Sequence, residues 1–420
     1  MKVAIDARIL PGVTGGVAVA VKTLVQGLGQ LVDSDEQYTI IVDRVEQQAW
    51  ISSFLGPNQR VVLTPKPMLG CAERLKRRMF RPLAQYLRAT VERRVWPEVP
   101  VSNGFHESLG CNVLHFPTQG FILCAIPTIY NPHDLQHLVY PQFFSPQTLA
   151  WRETVYPAGC HFAQTVVVGS QWVKEDVVRR YGINPGKVQV IPEAAPTQTS
   201  THPEPSELSR VKATHDLKQP FALFPGVTWP HKNHLQLFRA LAQLRDERGI
   251  TLQLVCTGAC YSPHWPRIEA ELRELNLSGQ VKFLGYVSDA DLRALYGLAA
   301  CLVLPSLYEA SSLPIFEAWF DGLPVACSNA TALPEQVRDA AILFDPTETK
   351  AIADALLTAA TDHETQRALR GRGYQRLKDF DVLRTATAYR AVYRRAAGAR
   401  LTEEDRWLLQ WDWMRGVAQQ

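Results

Sequence analysis

Short, continuous runs of aliphatic and β-branched residues alternate with helix-length segments along this chain, and that alternation restricts its fold more than any other feature. In the first half the runs are KVAID (2–6), YTIIVD (38–43), RVVLTP (60–65), NVLHF (112–116), PTIYNPHD (127–134), QTVVVGS (164–170) and KVQVIP (187–192). A strand without an alternating polar face has to be covered on both sides, and helices between successive strands provide that cover by crossing over a parallel sheet. The pattern predicts a doubly wound α/β domain.

A stretch rich in Pro, Thr and Ser follows, AAPTQTSTHPEPSELSRVKATHDLKQP, and reads as a linker because it lacks apolar periodicity. A second series then begins: FALFPG, TLQLVCTG, QVKFLGY, ACLVLPS, LPVACS and AAILFD. At 420 residues the chain exceeds one ordinary core. The expected division is a first Rossmann-like domain over 1–195, a linker over 196–217, a second doubly wound domain over 218–389 and a helical tail over 390–420. In the tail, Trp407, Leu408, Trp411 and Met414 fall at helical spacing, an apolar face expected to pack back on the first domain.

A net charge of +3 is too small to imply nucleic-acid binding. Neither a secretory leader nor an apolar run of the ~20 residues that cross a bilayer is readable, so a cytoplasmic protein is expected, or one peripheral on the inner face of the membrane. Eight scattered cysteines without a C-x-x-C pair read as buried thiols rather than disulfides or a zinc cluster.

Ligands of such domains bind where loops leave the carboxyl ends of the strands. The first such loop, ILPGVTGGVAVAVKTLVQGL, places Gly15 and Gly16 just before a helical run, where the backbone can approach an anion closely. An ordinary tight turn remains open there. The corresponding loop of the second domain, FPGVTWPHKNHLQLFRAL, sets Lys232 before a helix that Asn233 can cap, and a lysine at that place makes sense when an anion lies between it and the dipole. The alternative is a solvated loop lysine. The third loop, LYEASSLPIFEAWFDGLPVACSNATALPEQVRDAAILFDP, has Pro314 suited to a first helical turn, Glu309 in the preceding loop and Glu317 about one turn inside. Free N–H groups near Ser311, Ser312 and Leu313 suit phosphate oxygens, and the two carboxylates suit sugar or ribose hydroxyls.

Two further motifs compete for attention. YNPHDLQHLVYPQFF spaces His133 and His137 as in the zinc signature H-E-x-x-H, with Asp134 for the glutamate. Against a zinc hydrolase stand Pro132 and Pro141, which flank the pair, and the look of a strand running into a loop. The SDAD of 288–291 offers the D-x-D of metal-dependent transferases, but Ser288 or Asp289 reads better as a helix cap.

EASSLPIFE (309–317), GLPVACSNATALPE, FLGYVSDADLRALY, TGGV, HDLQ, VGSQWVKEDVVRRYGI and PHKN together resemble the retaining family 4 glycosyltransferases. Their GT-B fold sets two Rossmann-like domains across a cleft. The resemblance implies that Gly15 and Gly16 contact the donor's diphosphate, that Lys232 stabilises the departing nucleotide diphosphate, and that Glu309 and His133 hold the transferred sugar. It implies further that Ser311, Ser312 and Leu313 face the diphosphate, that Glu317 holds the ribose, and that Tyr286 and Val287 line the base site. The chain departs from the family pattern twice: Ser312 stands where a glycine is usual, and the arginine before the lysine is missing. His231 is the candidate for the second positive charge.

The implied function is metal-independent transfer of a hexose, mannose first, from a nucleotide diphosphate sugar to a hydroxyl of a glycan or lipid-linked acceptor. GDP-mannose is the first donor, UDP-glucose the next; both are co-substrates, and no cofactor is expected. The closest look is to bacterial surface-polysaccharide mannosyltransferases. A nucleotide-sugar-binding module without turnover is the alternative. Finally, a basic stretch between Glu73 and Trp96, including Arg77, Arg78 and Arg81, carries apolar residues every fourth position. It fits an anionic membrane surface or a phosphate-bearing acceptor, or else a solvated face over a packed helix.

Overall fold

The computed structural model describes residues 1–9, 15–33, 35–65, 98–196, 202–218, 220–415 and 417–418. Each apolar run of the sequence forms a strand. The first seven are β1 (Lys2–Asp6), β2 (Gln37–Val42), β3 (Gln59–Leu63), β4 (Val113–Phe116), β5 (Thr128–Tyr130), β6 (Thr165–Val168) and β7 (Val188–Val190). They build one parallel sheet in the order β3-β2-β1-β4-β5-β6-β7, with Val3 opposite Val113 and Ile5 opposite His115 in the central register. The next six are β8 (Phe221–Pro225), β9 (Gln253–Thr257), β10 (Val281–Phe283), β11 (Cys301–Leu304), β12 (Val325–Ser328) and β13 (Ile342–Phe344). Their sheet runs β10-β9-β8-β11-β12-β13. In each sheet the winding direction reverses beside the opening strand, between β1 and β4 and between β8 and β11. Loops diverge at those two points and leave a crevice beyond the strand ends.

Two cores result, one per sheet. The stretch expected to be a bare linker contains a helix, Pro205–Thr214, whose Val211 is fully buried in the second core. Its apolar face is only Leu208 and Val211 wide, too narrow to register as periodicity among so many Ser, Thr and Glu residues. The second domain therefore begins before residue 218.

The chain also returns to the first domain earlier than expected. The helix Val382–Ala396 lies with Ala386, Tyr389, Val392 and Tyr393 in the first core and crosses the helix Gly16–Gln30. A β-carbon at Gly27 would come within 2.9 Å of both Ala386 and Val382, so glycine is what permits this crossing. The tail is not one continuous helix. A helix over Glu403–Leu409 ends before a two-residue strand pair, Trp411–Asp412 with Val417–Ala418. Of the face read from the sequence, Leu408 and Met414 are buried, Trp407 is exposed, and the neighbouring Trp413 is buried in its stead. Among the described residues, no helix is long and apolar enough to cross a membrane.

Candidate active site

A cleft of about 620 Å³ opens between the two sets of strand ends. Its wall includes Gly15, Gly16 and His133 from the first domain, and His231, Lys232, Tyr286, Val287, Glu309, Ser311, Ser312, Leu313 and Glu317 from the second. Gly15 adopts φ 53° and ψ −132°, a backbone conformation open to glycine and little else, and so turns the chain from β1 into its helix. The space beside Gly16 is closed by Leu313 Cδ1, 3.6 Å from where a β-carbon would sit. The two domains thus meet at the glycine loop and the start of the helix Leu313–Phe320.

That helix start is held from behind by the segment after β12. Thr331 Oγ1 accepts from the Glu309 N–H at 2.9 Å and donates to the Glu309 carbonyl at 2.6 Å. Gln336 does the same for Ser312: its Oε1 accepts from the Ser312 N–H and its Nε2 donates to the Ser312 carbonyl, both at 2.9 Å. The Ser312 amide is therefore not available to a phosphate, contrary to the sequence expectation. Two side chains anchor the loop in extended form, and among the described residues the N–H groups of Ser311 and Leu313 have no partner. Glu317 accepts from the buried Tyr296 hydroxyl at 2.5 Å. Burial holds its carboxyl above the usual carboxylate range, with Tyr296 and Arg293 acting in the opposite sense.

Lys232 closes a single turn, Pro230–Lys232, after β8, and its Nζ donates to Glu309 Oε1 at 2.6 Å. Both side chains are mostly buried, 18% and 10% exposed. Asn233 stands at the N-cap position of the helix His234–Arg248 but does not cap it. Its backbone is left-handed (φ 62°), and its amide donates instead to the carbonyls of Pro305 and Pro346. The role of second positive charge expected of His231 is opposed by its surroundings here: burial, then the neighbouring Lys232 charge, lowers its pKa to about 3. Ser288 caps the helix Asp289–Leu298 by accepting from the Asp291 N–H, so the SDAD aspartates lie in a first helical turn.

Residues 14–199 match the family described as Glycosyltransferase Family 4, and residues 205–376 the one described as Glycosyl transferases group 1. The chain belongs to the family 4 glycosyltransferases. This glycosyltransferase is 29% identical over 284 residues to the O-antigen chain mannosyltransferase B of Escherichia coli, an overlap of 63% of this chain and 73% of that one. It is 30% identical over 239 residues to the MMP alpha-(1->4)-mannosyltransferase of Mycolicibacterium hassiacum, spanning 55% of this chain and 54% of that protein. In fold it is similar to Anabaena Alr3699/HepE, solved in complex with UDP and glucose, with a TM-score of 0.67 at 17% identity over 93% of this chain and 99% of that one. The two-domain arrangement is GT-B.

In the glycosyltransferase the two histidines of HDLQH part company. His133 sits before the short helix Gln136–Val139, in left-handed conformation (φ 62°), with Nε2 donating to the Pro117 carbonyl at 2.9 Å and Nδ1 lying 3.5 Å from the Glu193 carboxylate. Burial alone would lower its pKa, but Glu193 and the Pro117 carbonyl outweigh burial and leave it raised. His137 is buried with its ring edge-on to Tyr156 at 4.9 Å, both ring nitrogens without a partner among the described residues, and its pKa lowered to about 3, chiefly by burial. One ring lines the cleft and the other is packing, so they do not form the paired grip that a zinc helix needs. Among the described residues, no group of three or more His, Cys, Asp or Glu is placed to hold a metal ion.

Glu193, Thr331, Gln336 and Tyr308 were not singled out in the sequence. Tyr308 is buried and accepts from the Leu135 N–H across the domains. Glu335 crosses the same divide to accept from the Gln171 N–H at the start of the helix Gln171–Tyr181. Only the Pro-Glu after β7 and the polar residues around LPEQV hinted at these positions. Arg77, Arg78 and Arg81, with the rest of the basic stretch, lie outside the described residues.

Proposed function

We propose that this glycosyltransferase moves a hexose, mannose in the first instance, from a nucleotide diphosphate sugar to a hydroxyl of a glycan or lipid-linked acceptor, with retention and without a catalytic metal. The observation that carries the reading is the Lys232–Glu309 pair, 2.6 Å apart, at the helix start that faces the glycine loop. An ammonium is suited to the charge that grows on a departing diphosphate, and a carboxylate to the hydroxyls of the sugar left behind. The N–H groups of Ser311 and Leu313 add donors for the diphosphate, and Glu317 accepts from the ribose. Lys232 exchanges Glu309 for the diphosphate as the donor binds, freeing Glu309 for the sugar. Catalysis is then mostly positioning and leaving-group stabilisation. The mannosyltransferase names of two relatives support mannose and make GDP-mannose the first donor, with UDP-glucose the runner-up.

A thermal-shift screen of nucleotide sugars tests the donor, since a ligand at 100 times its Kd stabilises by about 2.7 kcal/mol. GDP-mannose is expected to raise the melting temperature most and to be turned over in the presence of EDTA. A larger shift with UDP-glucose reassigns the donor. Binding without turnover on any acceptor favours the non-catalytic alternative, and loss of turnover in EDTA overturns metal independence.

A further inference from the structure

A row of buried hydrogen bonds crosses the first core and ends at the cleft. His115 Nδ1 lies 2.9 Å from the Tyr393 hydroxyl and His115 Nε2 lies 2.9 Å from Asn131 Oδ1, while Asn131 Nδ2 donates to the Tyr389 hydroxyl oxygen at 2.7 Å. His115 is fully buried, and burial lowers its pKa to about 4, so near neutral pH its ring is uncharged and carries one N–H. Asn131 Oδ1 can only accept, which puts that N–H on Nε2 and leaves Nδ1 to accept from Tyr393. Every bond in the row then points the same way, from Tyr393 toward Tyr389.

Tyr389 is where the row stops. Because its oxygen accepts from Asn131, its own hydrogen is turned elsewhere, and no acceptor for it is found among the described residues. The residue is 6% exposed and lines the cleft beside Asn131, His133 and Glu193. Burial, joined by the Glu193 charge, raises its pKa against the Asn131 hydrogen bond, so the hydroxyl keeps that hydrogen. A buried tyrosine hydroxyl normally has a partner for it, and here the open side is the cleft. Glu193 sets one carboxylate oxygen 3.5 Å from His133 Nδ1 and leaves its side chain 20% exposed on the same wall. A donor and an acceptor so placed match an alcohol, which accepts from the one and gives its hydrogen to the other.

We propose that Tyr389 and Glu193 together hold one hydroxyl of the transferred hexose, Tyr389 donating to its oxygen and Glu193 accepting its hydrogen. This rests on the transfer reading above, in which His133, the ring that Glu193 holds, faces the same sugar. The helix Val382–Ala396, encoded after the whole second sheet, thus supplies part of the sugar recognition, and the row behind Tyr389 fixes the direction of its donor hydrogen.

The test compares matched ligands on the whole protein by calorimetry: GDP-mannose with GDP, and UDP-glucose with UDP. Tyr389→Phe is expected to weaken the nucleotide sugar that wild type binds about tenfold, the upper end for one hydrogen bond, and to leave the bare nucleoside diphosphate within about twofold. Glu193→Ala should show the same sugar-specific loss, and it carries the comparison if Tyr389→Phe does not fold. Single-deoxy analogues of that nucleotide sugar then identify the hydroxyl: wild type should bind one of them as weakly as Tyr389→Phe binds the parent, and the two losses should not add. A purely structural tyrosine would change both ligands alike and show no such coupling. Equal losses for sugar and bare nucleotide, no loss for either, or additive losses with every analogue would each overturn the proposal. If no nucleotide sugar binds wild type, the transfer reading falls and the proposal with it; if wild type binds and transfers while the coupling is absent, only the proposal falls.

Discussion

Lys232 and Glu317 both carry charge in the cleft, yet their substitution should register in different kinetic constants. Charge on the diphosphate grows as the glycosidic bond breaks, so Lys232→Ala is expected to cut kcat more than it raises donor KM. A rise in KM alone would remove that role. In the proposed reaction Glu317 would meet ribose hydroxyls equally before and during transfer, so its variants should act on donor KM. Because burial raises its pKa, it protonates at a higher pH than an ordinary carboxylate. Donor KM should therefore climb as pH falls toward that raised value, and Glu317→Gln should flatten the climb. The HDLQH pair gives the sharpest contrast. His133, held protonated by Glu193, is expected to contribute below the ordinary histidine pKa and to lose its charge only as pH rises through the raised one. His133→Gln should lose on the order of 10²-fold in transfer rate, as misplacement in a reacting cleft does. His137→Phe should leave the rate alone and hold or improve stability, since it replaces two unpartnered buried nitrogens by apolar surface. Equal losses at the two positions would refute this division.

At the scale of elements, every strand of the two parallel sheets could be read from the sequence because a strand buried on both faces is an unbroken apolar run, whatever its distant partners. Glycine before one helix and Pro314 inside another were readable for the same local reason. What escaped notice depends on residues far apart in the chain. Gln336 acts on Ser312 from 24 residues away, and nothing in either residue's neighbourhood announces the double hydrogen bond. Glu193 meets His133 only because the loops after β5 and β7 converge. The helix Pro205–Thr214 was hidden by a face two residues wide. Gln336→Ala is expected to release the Ser312 amide and loosen the helix start. It should cost about 1–3 kcal/mol for the unpaired buried groups and lower kcat, with the two losses read separately by denaturant unfolding and by turnover. A drop in stability with kcat intact would leave Gln336 as packing alone.

For the molecule as a whole, the helix Val382–Ala396 is where the two halves are tied. Arg394 reaches back from it to Glu36 at 2.8 Å and forward to Asp405 at 2.9 Å, in a site where Asp405 is fully buried. Arg394→Met removes the cation that two buried carboxylates share and should destabilise by about 3–5 kcal/mol, measured by chemical unfolding. A loss below about 1 kcal/mol would show that water reaches the site. The same helix has a consequence for how the protein is made. Translation delivers the first sheet early, at about 5–20 residues per second, but the helix that fills its core is encoded beyond the entire second sheet. On the ribosome, the helix Gly16–Gln30 waits with its Gly27 crossing unfilled while the second half is synthesised. The interval of greatest risk for chaperone capture or misassembly therefore scales with the time taken to translate a different domain, and slow codons in the second half would endanger the first.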